Sequence, residues 1–144
     1  MKKTIHIVII LGLLLAIFPI AAAAHTEDDP FKKDLIAGQN EDAGDVLVWN
    51  DADNLYVQYK LHGTWCLLET HVAVGSDPAD IPQTKKNNPV PGKFEYSAEY
   101  DNPPCIQNPA PYVIPNVWDD DQLVNIAAHA SVSKPVDGCF EEVW

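Results

Sequence analysis

A carboxylate and an imidazole stand two residues apart, Glu69 and His71, in the run WCLLETHVAVG at 65–75. In an extended strand residues i and i+2 leave the same face, so this spacing points both side chains one way. A second imidazole, His129, sits between small residues in VNIAAHASV at 124–132. Were the two strands neighbours, Glu69, His71 and His129 would supply three ligands to a zinc ion and leave a fourth position for water. The plainer alternative is that each histidine hydrogen-bonds a backbone or hydroxyl group near a sheet edge. No HExxH-type spacing supports the metal reading.

Oxygen ligands form a second candidate. Asp51, Asp53 and Asn54 in NDADN resemble the opening of a calcium loop, although the glycine and distant glutamate of an EF-hand are missing. Asp42 and Asp45 lie close by in sequence, and Asp119, Asp120 and Asp121 make another cluster. Zn or Ca is therefore the divalent cation to test, with solvated turn carboxylates as the alternative to calcium. Aromatic side chains are the third candidate. Trp49, Tyr56, Trp65 and Trp118 include candidates for a sugar-stacking platform, as in a carbohydrate-binding module, but Trp65 and Tyr59 read as core.

Nucleophilic chemistry has little to stand on. There is no GxSxG elbow, and Ser76, Ser97, Ser131 and Ser133 show no local partner arrangement. Cys66 with His71 or His129 would form a thiol–imidazole pair, but a cysteine on the apolar side of a strand is more often bridged or inert. The chain is therefore expected not to be an enzyme.

The elements that must position these residues are strands. Val46, Val48, then Leu55, Val57, Tyr59 and Leu61 recur at period two, with Tyr56, Gln58 and Lys60 on the opposite face. Asn50 to Asn54 between them suits a hairpin connection. Further strands are expected over about Trp65–Val74, Phe94–Tyr100, Tyr112–Ile114 and Leu123–Ser133. In the first of these Cys66, Leu68, Thr70, Val72 and Val74 form the apolar face, and Glu69 and His71 the polar one. No amphipathic helix is legible, and twelve prolines punctuate the chain. The expected fold is all-β, an immunoglobulin-like sandwich of about seven short strands with one long Pro-rich loop. That loop reads as an ordered Ω-like excursion around Ile81-Pro82-Gln83 and Val90-Pro91-Gly92.

Residues 1–24 read as a signal peptide. Lys2 and Lys3 form a positive n-region, Ile5 to Phe18 an apolar core, and Ala21–Ala24 a small-residue cleavage site. The apolar run is short for the roughly 20 residues that span a bilayer, so no transmembrane segment is expected in the mature chain. Residues 25–33 read as a flexible acidic lead-in and 34–144 as the sandwich module. Nine lysines and no arginine face 21 Asp and Glu. Loss of Lys2 and Lys3 leaves seven lysines and a net charge of −14, with histidines neutral. With no Arg/Lys cluster, no nucleic acid partner is expected.

Export makes an oxidising compartment the expected one, and three cysteines can form one disulfide in three ways. Cys66–Cys105 is the preferred pairing, a strand cysteine with a cysteine in the loop at Pro103-Pro104. The other two pairings stay open, and Cys139 is the sulfur left over.

In order along the chain, DLIAGQNEDAGDVLVWND, NLYVQYKLHGTWCLLETHVAVG, DIPQTKKNNPVPGKFEYS and VNIAAHASV succeed one another. This ordered set resembles a module that recurs in secreted and surface-attached proteins of bacteria and archaea. The resemblance implies an extracellular all-β module, often one part of a larger surface protein, and carries over no catalytic residues. Relatives continue past the GCFEE-like stretch with a Thr-Ala-Trp-Gly segment and a further strand, whereas this sequence stops at Val143 and Trp144. Either the module is truncated at its C-terminus or the last strand is supplied otherwise, and a missing edge strand would expose backbone to strand addition by other surface proteins or by a second copy. The expected role is structural or adhesive, in the cell envelope.

Overall fold

A computed structural model describes residues 4–9, 25–119, 122–136 and 139–143. The expected cleavage site at Ala21–Ala24, together with Asp120 and Asp121, lies outside the described residues.

Among the described residues nine strands follow one another: β1 (Thr4–Ile9), β2 (Phe31–Ala37), β3 (Glu41–Asn50), β4 (Asn54–Leu61), β5 (Cys66–Gly75), β6 (Tyr96–Glu99), β7 (Tyr112–Pro115), β8 (Leu123–Val136) and β9 (Cys139–Val143). They form two sheets. One has the order β2-β3-β4-β7; the other has β1-β8-β5-β6, with β9 also paired to β8. All pairings are antiparallel except that of β1 with β8. An apolar core lies between the sheets, as expected of a β-sandwich. It takes Leu35 from β2, Val46 and Val48 from β3, Leu55, Val57 and Tyr59 from β4, and Leu67 and Val72 from β5; Ile126, Ala128 and Val132 of β8 complete it.

The alternation read from the sequence sets the faces of β3, β4 and β8. Val46, Val48 and Val57 are fully buried and Tyr59 nearly so, while Gln58 and Lys60 lie on the other face. Phe31–Lys33, read as part of a flexible lead-in, instead begin β2 and pair with Val48, Leu47 and Val46. In β5 the register shifts between Leu67 and Glu69, so Leu68 is an extra residue at a β-bulge and Leu67 faces the core in its place. From Thr70 onward the inward set is as expected.

A second irregularity lies where β2 meets β3. Leu35 pairs with Gly44 and Ile36 with Asp42, which leaves Ala43 over. Gly44 has φ +152°, and a Cβ there would stand 2.3 Å from the Lys60 carbonyl oxygen, so only glycine fits.

The Pro-rich segment after β5 is tied by its own hydrogen bonds. Asp77 and Asp80 close a capping box around the short 3-10 turn Pro78–Asp80, Gln83 bridges to Pro89, and a second 3-10 turn spans Pro91–Lys93. The loop folds over the outer face of β5 and β8, where Ile81 and Phe94 pack on Ala73 and Ala127. Phe94, expected to open a strand, is thus a loop anchor, and β6 begins at Tyr96.

Candidate functional site

The outer face of the β5–β8 sheet holds the sequence's sharpest candidates. In the antiparallel register His71 of β5 lies directly opposite His129 of β8, and Glu69 lies opposite Ser131. On the other side of β5, Ser97 and Glu99 of β6 stand opposite His71 and Glu69. The two imidazoles are 5.7 Å apart between ring centres and tilted by 43°. His71 Nε2 is 2.8 Å from Glu69 Oε1. The Pro-rich loop helps to cover this end of the sheet, and His71 is buried.

Glu69, His71 and His129 therefore come together on one patch, as their spacing suggested. They do not close around a common point. Among the described residues, no three His, Cys, Asp or Glu side chains are grouped to hold a metal ion. His129 Nδ1 is buried without a hydrogen-bond partner. Burial is the main cause that depresses the His129 pKa, and the neighbouring His71 adds to it; Glu69 works weakly in the other direction. His129 is thus held neutral, as a metal ligand or a plain hydrogen-bonding imidazole would need to be.

Beneath this pair lies a tie between the sheets. Tyr59, reaching across the core from β4, places its hydroxyl 2.9 Å from the carbonyl oxygens of both His71 and His129. Burial pushes the Tyr59 phenol well above its ordinary pKa, so it remains a donor. On the next row Thr70, fully buried, meets the hydroxyl of Tyr112 at 2.7 Å and that of Tyr100 at 3.2 Å. These contacts fix the backbone from which Glu69, His71 and His129 project.

The acidic hairpin is occupied by its own turn. Asp51 Oδ1 accepts from the backbone N–H groups of Asp53 and Asn54 at 2.8 and 2.7 Å, and Oδ2 accepts from the Tyr56 hydroxyl at 2.8 Å. The Tyr56 hydroxyl, followed by those two N–H groups, holds the Asp51 carboxyl below the usual carboxylate range. The carboxylate in turn raises the Tyr56 phenol. This is an Asx-type turn stabilising the β3–β4 connection.

The aromatic candidates divide in the same way. Trp49 and Tyr56 are cross-strand partners on the outer face of the first sheet and stack on each other, 5.2 Å apart and 7° from parallel. They line a recess of about 330 Å³ with Thr26, Glu27, Asp51 and Pro111. Trp65 is buried in the core and Trp118 packs against it.

Cys66 and Cys105 are disulfide-bonded, with Cα atoms 5.1 Å apart, which closes the thiol–imidazole reading for Cys66. The bridge pins the loop before β7 across the end of the sandwich. There Ile106 accepts from Leu67 N of β5, and Gln107 accepts from Leu61 N of β4, at 2.8 Å each.

One charged group escaped the sequence reading. Asp45, named there only as a calcium candidate, is a buried carboxylate on β3. It meets His62 Nε2 at 2.9 Å and Lys32 Nζ at 3.1 Å. The alternation of β3 gave no signal for it, because its partners come from β2 and from the turn after β4.

The fold and the site thus define a disulfide-bonded all-β sandwich with a histidine pair and a carboxylate on one outer face. No family model, curated protein or solved structure matches the chain. Among the described residues, no helix is long and apolar enough to cross a membrane.

Proposed function

We propose that this protein is an exported, non-catalytic β-sandwich module with a structural or adhesive role at the cell envelope. The observation that carries this reading is the Cys66–Cys105 bridge, which locks a loop across both sheets of the sandwich. Such a bond persists in oxidising, extracytoplasmic surroundings and is rare in a reducing cytosol. The leader-like residues 1–24, the acidity of the chain and the resemblance to surface modules agree with it. Several other candidate polar groups are engaged in framework contacts: Asp51 in its turn, Thr70 with two tyrosines, Cys66 in the bridge. Cell fractionation with a deletion strain tests this reading. The protein should be found in the medium or on the surface, and its loss should reduce surface integrity or attachment. A cytosolic protein with reduced thiols would refute it.

A second reading is a metal-binding, or metal-dependent, secreted protein using Glu69, His71 and His129. It is favoured by the cross-strand histidine pair and by the unpartnered Nδ1 of His129. Two imidazoles and a carboxylate suit zinc. Binding would require His71 to turn from Glu69 toward a shared ion. Zinc titration followed by histidine NMR tests it: shifts confined to His71 and His129 support it, and unmoved shifts refute it. Calcium at Asp51 and Asp53 has less support, because three donors of its own turn already engage the Asp51 oxygens. A sugar platform at Trp49 and Tyr56 has less again, since each ring covers a face of the other.

A further inference from the structure

The four outer edges of this sandwich are not equivalent. β2 carries Lys32 and Lys33. β6 is four residues long and ends in Glu99, and β7 is four residues long and ends in Pro115. Short length, charge and proline are the devices by which proteins keep an edge from pairing with another chain. β8 is different. Its edge away from β5 is shared, with β9 pairing to Val132–Val136 and β1 to Leu123–Ala128. Lys134 and Pro135 fall within the β9 portion, whereas Leu123–Ala128 (LVNIAA) has neither charge nor proline.

The segment seated on that second portion comes from the leader-like residues. Thr4–Ile9 (TIHIVI) runs parallel to β8, and Ile5, Ile7 and Ile9 hold the register positions opposite Val124, Ile126 and Ala128. These three β8 residues belong to the core between the sheets, at 3%, 0% and 0% exposure. Removal of residues 1–24 would strip pairing from six residues of backbone beside an apolar core row. An open edge of this kind takes up an extended segment by main-chain hydrogen bonds, with alternate side chains giving selectivity.

We infer that Leu123–Ala128 is a strand-acceptor site. It takes, parallel to β8, an extended segment of another polypeptide with apolar β-branched residues at every second position. The leader holds the place until it is cut. This rests on the exported, leader-free reading above, and it adds which edge pairs, in which direction and with what chemistry.

The test uses the protein recovered from its own cells. Intact mass gives its N-terminus, and hydrogen exchange of 123–128 is followed with and without a synthetic peptide of residues 3–10. The expected result is a chain beginning at or near His25 in which the 123–128 amides not paired with β5 exchange readily, and roughly tenfold more slowly once the peptide is added. The same peptide with Ile7→Pro, which cannot complete the ladder, should give no protection. A leader-free chain whose exchange ignores the peptide overturns this inference and leaves the export reading standing. So does one whose edge is already protected by antiparallel pairing with a second copy. A recovered chain that still carries residues 1–24 overturns both.

Discussion

The hydroxyl of Tyr59 lies 2.9 Å from the carbonyl oxygen of His129, and equally near that of His71 on the adjacent strand. One phenol from the first sheet thus bridges two backbone acceptors of the second, directly beneath the histidine pair. Position and chemistry are coupled here: the residues that project Glu69, His71 and His129 outward are held from within by Tyr59. Tyr59→Phe keeps the ring and removes the donor, leaving the two buried carbonyls one partner short. It should cost about 1–3 kcal/mol in urea unfolding, with the denaturant slope unchanged. A loss of a few tenths or less would mean the tie contributes little.

The pH dependence follows from His129. Its folded pKa is depressed by burial, while the unfolded side chain titrates near about 6.5, so the unfolded state binds the extra proton first as pH falls. The stability due to neutral His129 is fully present above that value. It is lost as pH drops below about 6.5 toward the lower folded value. Denaturant midpoints between pH 7.5 and pH 5 should fall for the wild type and fall less for His129→Gln. Equal slopes in the two proteins would contradict the assignment.

Gly44→Ala tests the bulge at the β2–β3 junction. A methyl group there would stand 2.3 Å from the Lys60 carbonyl oxygen, at a backbone angle that other residues rarely adopt. The loss should exceed about 3 kcal/mol, among the largest expected of any single substitution here. Gly63→Ala is the control. That site also has positive φ but meets no atom within 4 Å, so its cost should be strain alone, about 1 kcal/mol.

Cys105→Ser removes the bridge that closes a loop with a sequence separation of 39. The expected loss is about 2–4 kcal/mol by denaturant titration, and the wild type under reducing conditions should lose a similar amount.

Much of the fold was legible because burial in a sandwich alternates along each strand. Val46, Val48, Val57 and Tyr59 declare their face by period alone. The cross-strand meeting of His71 and His129 was legible as a condition, that their strands be neighbours, and the β5–β8 register meets it. What escaped depends on partners distant in sequence. The bulge at Leu68 is a register shift of β5 against β8, and no local pattern marks it. Phe31–Lys33 looked like a polar tail because Lys32 is exposed on its own strand, yet its ammonium pairs with Asp45 of β3. The same distance hid the buried role of Asp45 and its contact with His62. The ring stack of Trp49 on Tyr56 likewise follows from the β3–β4 register rather than from either residue's neighbours.

The central claim, an oxidised and exported sandwich, is tested most directly by non-reducing intact mass and peptide mapping of the protein taken from the extracellular or surface fraction of its own cells. The expected result is a chain starting at or near His25, lighter by two hydrogens than its reduced form, with Cys66 and Cys105 in one cross-linked peptide. A chain carrying its leader, or found in the cytosol with both thiols free, would contradict it.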